Sequence, residues 1–269
     1  MNIGVITCTY YMDIYDYRVP EPFDWNEMCN KYRLAYSIGD FLTLARKIRQ
    51  IGFTGIEIWE PMLSYQTLNP DTANRVAGEL RGMGFTDIVY CIGGWSKADT
   101  EHMEDAYRFA KAMGCKVISG CANKTDASIM FPVLEKLGSM NAIRYAIENH
   151  PNPNMSDPLE IAELTAPYRH IGANIDTGIY YSMGYDVINA VHTLKEKICH
   201  CHLKDSLRGG EGCYPIGDAS VPCVELISLL KKWDYPYMIS IEFEYPADPT
   251  PGLFKSMGYV NGILKTLDT

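Results

Sequence analysis

The chain has 269 residues, of which 47% are hydrophobic and 21% are charged, a composition typical of a globular protein with one large α/β domain or two small ones. No apolar run is long enough to span a bilayer and no basic segment opens the chain, so we exclude a membrane protein and predict an intact cytoplasmic one. The formal net charge of -9 argues against a protein that binds nucleic acid through its phosphates.

Eight β-branched or apolar segments alternate with helix-patterned segments, and no linker-like stretch divides them. The predicted strands are, in chain order, NIGVITC, TGIEIWE, TDIVYCIG, CKVISG, IRYAIEN, HIGANID, KICHCHLKD and YMISIEFE. The predicted helices cover 40–52, 70–83, 101–113, 158–168, 185–196, 218–233 and a final stretch that ends at Leu267. The clearest is 40–52, because its apolar residues from Phe41 to Ile51 recur on one face and Gly52 supplies a stop.

This alternation predicts the architecture. Strands separated by helices pair in parallel through right-handed crossovers, and eight such units in a chain of this length close into a (β/α)8 TIM barrel. We therefore predict an α/β fold with a single TIM-barrel domain over residues 1–269. An open, doubly wound sheet is the alternative that uses the same elements.

The segment from Cys8 to Tyr36 is an unusually long connection between the first strand and the first predicted helix. Its aromatic residues are Tyr10, Tyr11, Tyr15, Tyr17, Phe23, Trp25, Tyr32 and Tyr36. In a barrel this segment lies at the mouth that carries the active site. Its rings suit a lid that stacks on a ligand, and they equally suit contacts with a second copy of the chain or with a partner subunit.

Four segments in the second half of the chain each end in a residue suited to a divalent metal ion. These residues are Glu148 in AIENH, Asp176 in GANIDTG, His202 in CHCHLKD and Glu242 in ISIEFE. If their strands are parallel neighbours, the carboxyl ends of the strands bring three carboxylates and one imidazole to a single point. This oxygen-rich set predicts one divalent ion, first Mn²⁺, with Mg²⁺, Co²⁺ or Zn²⁺ as alternatives.

Strand alternation extends the predicted polar surface into the barrel. The residues that share an inner face with the four are His200 and Lys204 beside His202, Ser240 and Glu244 beside Glu242, and Asn174 beside Asp176. The same alternation sends Cys199 and Cys201 to the opposite face from the two histidines, which argues against a zinc site in CHCH. The nine cysteines include no CxxC pair and predict reduced core thiols.

Five motifs carry a resemblance to a known family: GIEIW, RYAIENH, NIDTG, CHLKDS and SIEFE. In this order they resemble the xylose-isomerase-like TIM-barrel superfamily of sugar phosphate isomerases and epimerases, over essentially the whole chain. That superfamily also contains ketose 3-epimerases, inosose dehydratase, the endonuclease IV group and C-glycoside-cleaving enzymes. The resemblance implies that the four residues bind one ion, that Glu148 and Glu242 also exchange a substrate proton, and that Arg208 contacts sugar oxygens.

The predicted activity is a divalent-metal-dependent sugar isomerase or epimerase that acts through a metal-stabilised enediolate on a small-molecule carbohydrate. The ion polarises a carbonyl and a carboxylate removes the adjacent proton. Proton return on the opposite face gives epimerisation, whereas return on the same side gives aldose–ketose isomerisation. The predicted substrate contacts are His150, Lys204, Arg208, Glu57 and Trp59. Structural roles are the alternative for each, such as a surface ion pair between Lys204 and Asp205.

Other functions stay open. Many members of the superfamily carry a histidine three residues after the strand-six aspartate, where this chain has Ile179. A lyase of the same superfamily is therefore an alternative, either a keto-inositol dehydratase or a C-glycoside deglycosidase acting on a 3-keto sugar. An endonuclease-IV-like DNA repair enzyme is disfavoured because six histidines are too few for its three-metal cluster. A non-catalytic sugar-binding subunit is the remaining hypothesis.

Overall fold

A computed structural model describes residues 1–151, 153–210 and 212–268. Eight parallel strands pair in chain order, and the eighth pairs with the first, so the sheet is closed. The strands are β1 (Ile3–Ile6), β2 (Gly55–Trp59), β3 (Asp87–Trp95), β4 (Val117–Ala122), β5 (Arg144–Glu148), β6 (Ile171–Asp176), β7 (Ile198–Leu203) and β8 (Ile239–Ile241). The predicted single TIM barrel is confirmed, and the open doubly wound sheet is wrong.

Helices surround this barrel. Within the described residues they are α1 (Trp25–Ala35), α2 (Ile38–Ile51), α3 (Pro70–Gly82), α4 (Thr100–Met113), α5 (Ala127–Asn141), α6 (Pro158–Thr165), α7 (Thr177–Ser182), α8 (Val187–Leu194), α9 (Cys223–Lys232) and α10 (Thr250–Leu267). All seven predicted helices are present. The one predicted over 218–233 begins later, at Cys223, because Pro222 precedes it and the backbone of 217–221 folds around the Asp205 carboxylate.

The helix α2 shows how sequence sets these elements. Ser37 caps its first turn by accepting from the Asp40 N–H, while the Asp40 carboxylate accepts from Ser37 in return. The apolar residues of its predicted inner face are all buried against the barrel: Phe41, Leu44, Ala45, Ile48 and Ile51. Gly52 ends the helix with φ of +112°, a conformation that a side chain would strain.

The segment predicted as a long mouth loop, 8–36, is only partly irregular. Two short 3₁₀ turns occupy Thr7–Tyr10 and Asp13–Tyr15, and α1 occupies 11 residues of the remainder. The Asp24 carboxylate caps α1 by accepting from the Glu27 N–H at 2.9 Å. Tyr10 and Tyr15 therefore lie on tight turns, and Trp25 and Tyr32 lie on a helix.

The barrel interior changes from apolar to polar along its axis. Near its amino-terminal end, Val89, Val117, Ala146, Cys199 and Met238 form a small apolar cluster apart from the main core. Above it lie buried polar side chains from five strands: Glu57, Ser119, Asn174, His200 and Ser240. These positions lead to the carboxyl ends of the strands, where the predicted site lies.

The inner cluster also corrects one expectation. A register shift in the pairing of β6 with β7 leaves Cys199 without a partner, so strict alternation fails there. Its thiol packs inside the barrel next to Gly172, while Cys201 packs in the main core outside it. All nine cysteines are free, as predicted.

None of the helices in the described part of the chain combines the length and apolarity needed to cross a bilayer.

Candidate metal centre

The four predicted ligands meet at the carboxyl end of the barrel. Glu148 and Asp176 are the last residues of β5 and β6, His202 is the last but one of β7, and Glu242 directly follows β8. One candidate ligand atom from each lies within 4.8 Å of those of the others, and each residue is at least 92% buried. Adjacent parallel strands bring together residues that are far apart in the sequence.

His202 stands at the centre of this group. Its Nδ1 lies 2.7 Å from Oε1 of Glu148 and 2.8 Å from Oε2 of Glu242. Its Nε2 points away from them and lies 3.0 Å from Oε2 of Glu57 and 3.2 Å from the side-chain amide of Asn174. Nδ1 is therefore the nitrogen available to an ion held by the carboxylates.

Glu57 lies beneath His202, deep in the barrel. It is fully buried, and its carboxylate contacts His200 Nε2 at 2.7 Å, His202 Nε2 and the Ser119 hydroxyl. Burial acts to raise the pKa of Glu57, but the two histidines outweigh burial and hold that pKa well below its usual range. The carboxylate of Glu57 binds histidines below the cavity and is not in the cavity wall, so this geometry does not support the predicted substrate contact, which stays a prediction.

Two carboxylate oxygens support a cation at this point. Oδ2 of Asp176 is buried and has no hydrogen-bond partner, and Oε2 of Glu242 is buried beside Nδ1 of His202 at 2.8 Å. Burial raises the pKa of Asp176 to about 8, against the lowering effect of Lys204. An unpaired buried carboxylate is costly, and a divalent ion among these oxygens would remove that cost. Three carboxylates and one imidazole fit a hard ion such as Mn²⁺ or Mg²⁺.

Lys204 closes one side of the group. Its Nζ lies 2.8 Å from Oε1 of Glu242, 2.6 Å from Oε2 of Glu244 and 3.9 Å from Oδ2 of Asp176. Burial would lower the pKa of this ammonium, but the three carboxylates outweigh burial and hold it well above its usual value. The alternative ion pair with Asp205 does not form, because the Asp205 carboxylate accepts three backbone N–H groups of its own loop.

A cavity of about 680 Å³ opens above the candidate metal centre. Its wall includes three ligands (Glu148, His202 and Glu242), the predicted contacts His150, Lys204 and Trp59, and also Trp25, Trp95, Ile179 and Glu244. Arg208 does not reach it: its guanidinium is exposed, donates to the Gly184 carbonyl at 3.1 Å and lies over the Tyr181 ring. The predicted sugar contact of Arg208 stays a prediction that the described cavity wall does not support.

The fold and the site define an α/β barrel with a candidate divalent-metal centre at the mouth where barrel enzymes carry their chemistry. The family described as xylose isomerase-like TIM barrel matches residues 45–261, and the chain belongs to this family. The resemblance seen in the five motifs is confirmed. No curated protein sequence matches the chain.

Solved structures with the same fold include sugar epimerases and a dehydratase. An L-ribulose 3-epimerase gives a TM-score of 0.77 at 12% identity, covering 100% of this chain and 96% of that chain. A 3-keto-D-glucoside 4-epimerase from E. coli gives 0.71 at 16% identity over 97% and 99% of the two chains. A probable 3-DHS dehydratase from Bacillus anthracis gives the same TM-score, identity and coverage. At these identities the likeness is one of fold.

Proposed function

We propose that this protein is a divalent-metal-dependent sugar epimerase or isomerase whose four ligands are Glu148, Asp176, His202 and Glu242. The observation that carries the proposal is the placement of Glu148 and Glu242. They come from β5 and from the end of β8, approach the same imidazole nitrogen at 2.7 and 2.8 Å, and both line the cavity. A substrate in that cavity would therefore meet carboxylates from two different strands.

When bound, the ion supplies positive charge that polarises a substrate carbonyl and makes the adjacent C–H bond more acidic. One of the two glutamates removes that proton, and the other donates a proton to the opposite face of the same carbon. The result is an epimer. If the same glutamate returns the proton to the neighbouring carbon, the product is the aldose or ketose isomer.

Other wall residues complete the proposed site. The Lys204 ammonium holds Glu242 and Glu244 in place and offers its remaining hydrogen-bonding capacity to substrate oxygens. His150 and Trp59 line the cavity and supply a polar contact and an apolar face. Two of the structural neighbours, an L-ribulose 3-epimerase and a 3-keto-D-glucoside 4-epimerase, support a carbohydrate as the substrate class.

One observation favours a lyase as the second candidate. Ile179 lines the cavity at the position where many superfamily members carry a histidine, and a dehydratase is among the structural neighbours. Elimination begins with removal of the same proton and differs only in the departure of a leaving group from the next carbon. Product analysis distinguishes the two, since a lyase yields an unsaturated or cleaved product.

Metal content is the first test. We expect about one Mn, Mg, Co or Zn per chain in wild-type protein purified without chelator, measured by mass spectrometry, and its loss in His202→Ala and Glu148→Gln. Glu196→Gln is the matched control, because this side chain is 88% exposed, lies just before the start of β7 at the other end of the barrel from the ligands, and should leave the metal content unchanged. No bound metal, and none acquired from added Mn²⁺, would favour the hypothesis of a non-catalytic sugar-binding subunit.

Proton exchange is the second test. The Mn²⁺-loaded enzyme in D₂O should place deuterium on the carbon next to the carbonyl of a ketose substrate, detected by NMR. Glu148→Gln and Glu242→Gln should each lower the exchange rate by about 100-fold or more, because each removes one acid–base group. Near-normal exchange in either variant would remove that residue from the proposed mechanism.

A further inference from the structure

One wall of the cavity is built from tryptophan. Trp59 ends β2 and Trp95 ends β3, and in a closed barrel of eight strands these positions lie across from β6 and β7, which carry Asp176 and His202. Trp25, at the start of α1, packs on Trp59 with ring centroids 5.7 Å apart. All three indoles line the cavity, and Trp25 is 41% exposed. We call these residues the tryptophan wall.

The polar side of the cavity is acidic. Glu148, Glu242 and Glu244 line it, and Asp176 lies beneath them. Lys204 is the one lysine or arginine in the described cavity wall, and its ammonium is already bound to two carboxylates. The four carboxylates carry four negative charges, whereas one divalent ion and the Lys204 ammonium together carry three positive charges. The site is therefore net negative and repels an anionic ligand.

Three backbone N–H groups of the loop after β7 are bound by a carboxylate of the chain. Barrel enzymes commonly bind phosphate with backbone N–H groups of the loops after strands seven and eight. Here Asp205 accepts from Gly217 at 2.9 Å and from Ala219 and Val221 at 3.0 Å, and it is 1% exposed. These three N–H groups are therefore not available to a phosphate, and the residues that follow β8 include the acidic Glu242 and Glu244.

The size of the cavity completes the inference. Its 680 Å³ falls in the range that holds drug-sized ligands, which exceeds one monosaccharide ring. A sugar ring at the candidate metal centre leaves the tryptophan wall free. Aromatic faces bind flat apolar groups and the C–H faces of rings.

From these observations we infer that the cavity binds an unphosphorylated, uncharged glycoside whose sugar ring carries a keto group. The sugar ring lies at the candidate metal centre, where its keto group meets the carbonyl requirement of the proposed function, and the second ring lies on the tryptophan wall. This inference rests on the proposed function for the placement of the sugar ring. It deepens that function by naming the substrate class.

Calorimetric titration of the full chain loaded with Mn²⁺ tests the inference by binding alone. The probes are unreactive binding analogues that have the rings of such a ligand but lack its keto group: methyl and phenyl β-D-glucoside, the corresponding galactosides, and phenyl β-D-glucoside 6-phosphate. At least one phenyl glycoside should bind about tenfold tighter than its methyl counterpart. The 6-phosphate should bind more weakly than phenyl β-D-glucoside.

Variants locate the second ring. Trp25→Ala should remove the preference for phenyl over methyl, and Trp25→Phe should retain most of it. Phe254→Ala is the matched control, since Phe254 is an exposed aromatic residue on α10, outside the cavity wall, and the preference should be unchanged.

Three results overturn the inference: equal affinity for the phenyl and methyl members of each pair, no binding of any neutral glycoside, or tighter binding of the 6-phosphate. Its failure is distinguishable from failure of the proposed function. Deuterium exchange into a phosphorylated ketose, without any preference for a phenyl group, rejects the inference and retains the epimerase. If the chain instead shows a phenyl preference that depends on Trp25 but no exchange activity, the inference is retained and the epimerase is rejected.

Discussion

The two ring nitrogens of His202 have different neighbours, and this difference decides how the residue can act. Nδ1 lies among the carboxylates of Glu148 and Glu242, while Nε2 lies against the carboxylate of Glu57. An Nε2–H that donates to Glu57 fixes the neutral tautomer with its lone pair on Nδ1. Carboxylates in this position orient metal-binding histidines and strengthen them as ligands.

Substitution of Glu57 should therefore weaken metal binding without touching the ligands. We expect Glu57→Gln to lower the affinity for Mn²⁺ by about 10–100-fold, measured by competition with a chelator. Glu60→Gln is a matched control, because Glu60 is also a buried carboxylate near the end of β2 but pairs with Arg33 at 2.6 Å. Equal Mn²⁺ affinity in wild type and Glu57→Gln would contradict the positioning role.

At the residue scale the sequence predicts the candidate ligands better than it predicts the buried residues that hydrogen-bond to them. The placement of Glu148, Asp176, His202 and Glu242 follows from the rule that parallel strands share one carboxyl end. The partner of Glu57 could not be predicted, because His200 is 143 residues away and the contact depends on the register of a closed barrel. Arg208 has the spacing expected from the family, but its loop turns outward.

At the element scale every strand was predictable and three helices were missed: α1, α5 and the short α7, which follows β6 directly. The helix α5 contains Pro132, which normally interrupts a helix, yet the packing of Met130, Phe131 and Leu134 into the core holds it together. The helix α1 was hidden by its aromatic residues, although Asp24 followed by Glu27 is a capping signal that could have revealed it. Local patterns identify strands here more reliably than they identify helices with unusual composition.

The register shift at Cys199 brings this residue close to Gly172, and a side chain at Gly172 should therefore destabilise the barrel. A Cβ at Gly172 would lie 2.2 Å from the backbone oxygen of Lys197 and 2.8 Å from the Cys199 sulfur, so the strands would have to move. Gly172→Ala should lower the free energy of unfolding by about 1–3 kcal/mol, measured by urea denaturation. Gly78→Ala is the control, because no atom lies within 4 Å of its added Cβ, and alanine should stabilise α3 by up to about 1 kcal/mol. Equal stability of the two variants would refute the close packing described at the bulge.

At the scale of the whole molecule, the region that matches the family and the aromatic segment over 8–36 are different parts of the sequence. The match covers residues 45–261 and includes all four candidate ligands. Trp25 and the rest of the aromatic segment over 8–36 precede it. The barrel and its site therefore follow a pattern shared by the family, whereas one side of the mouth is supplied by a segment outside the matched region.

Metal binding should stabilise the whole barrel, because the candidate ligands come from β5 to β8 and bind only when these strands are assembled. Added Mn²⁺ at about 100 times its Kd should raise the free energy of unfolding by about 2.7 kcal/mol. For a chain of this size the Tm should rise by roughly 5–10 °C, measured by differential scanning calorimetry. His202→Ala should show no such rise, and an unchanged Tm in wild type would argue against a site formed by these strands.

The buried polar layer formed by Glu57, Ser119 and His200 has a consequence for engineering. Barrels are held together by layers of branched apolar side chains, and buried ionic groups can often be exchanged for apolar ones with a gain in stability. Joint replacement of these three residues by well-packed aliphatic ones should raise the free energy of unfolding of the barrel. The same replacement should lower its affinity for the metal ion. Selection for thermal stability alone would thus tend to replace the polar residues of this layer. Directed evolution of this protein should therefore measure metal content together with Tm.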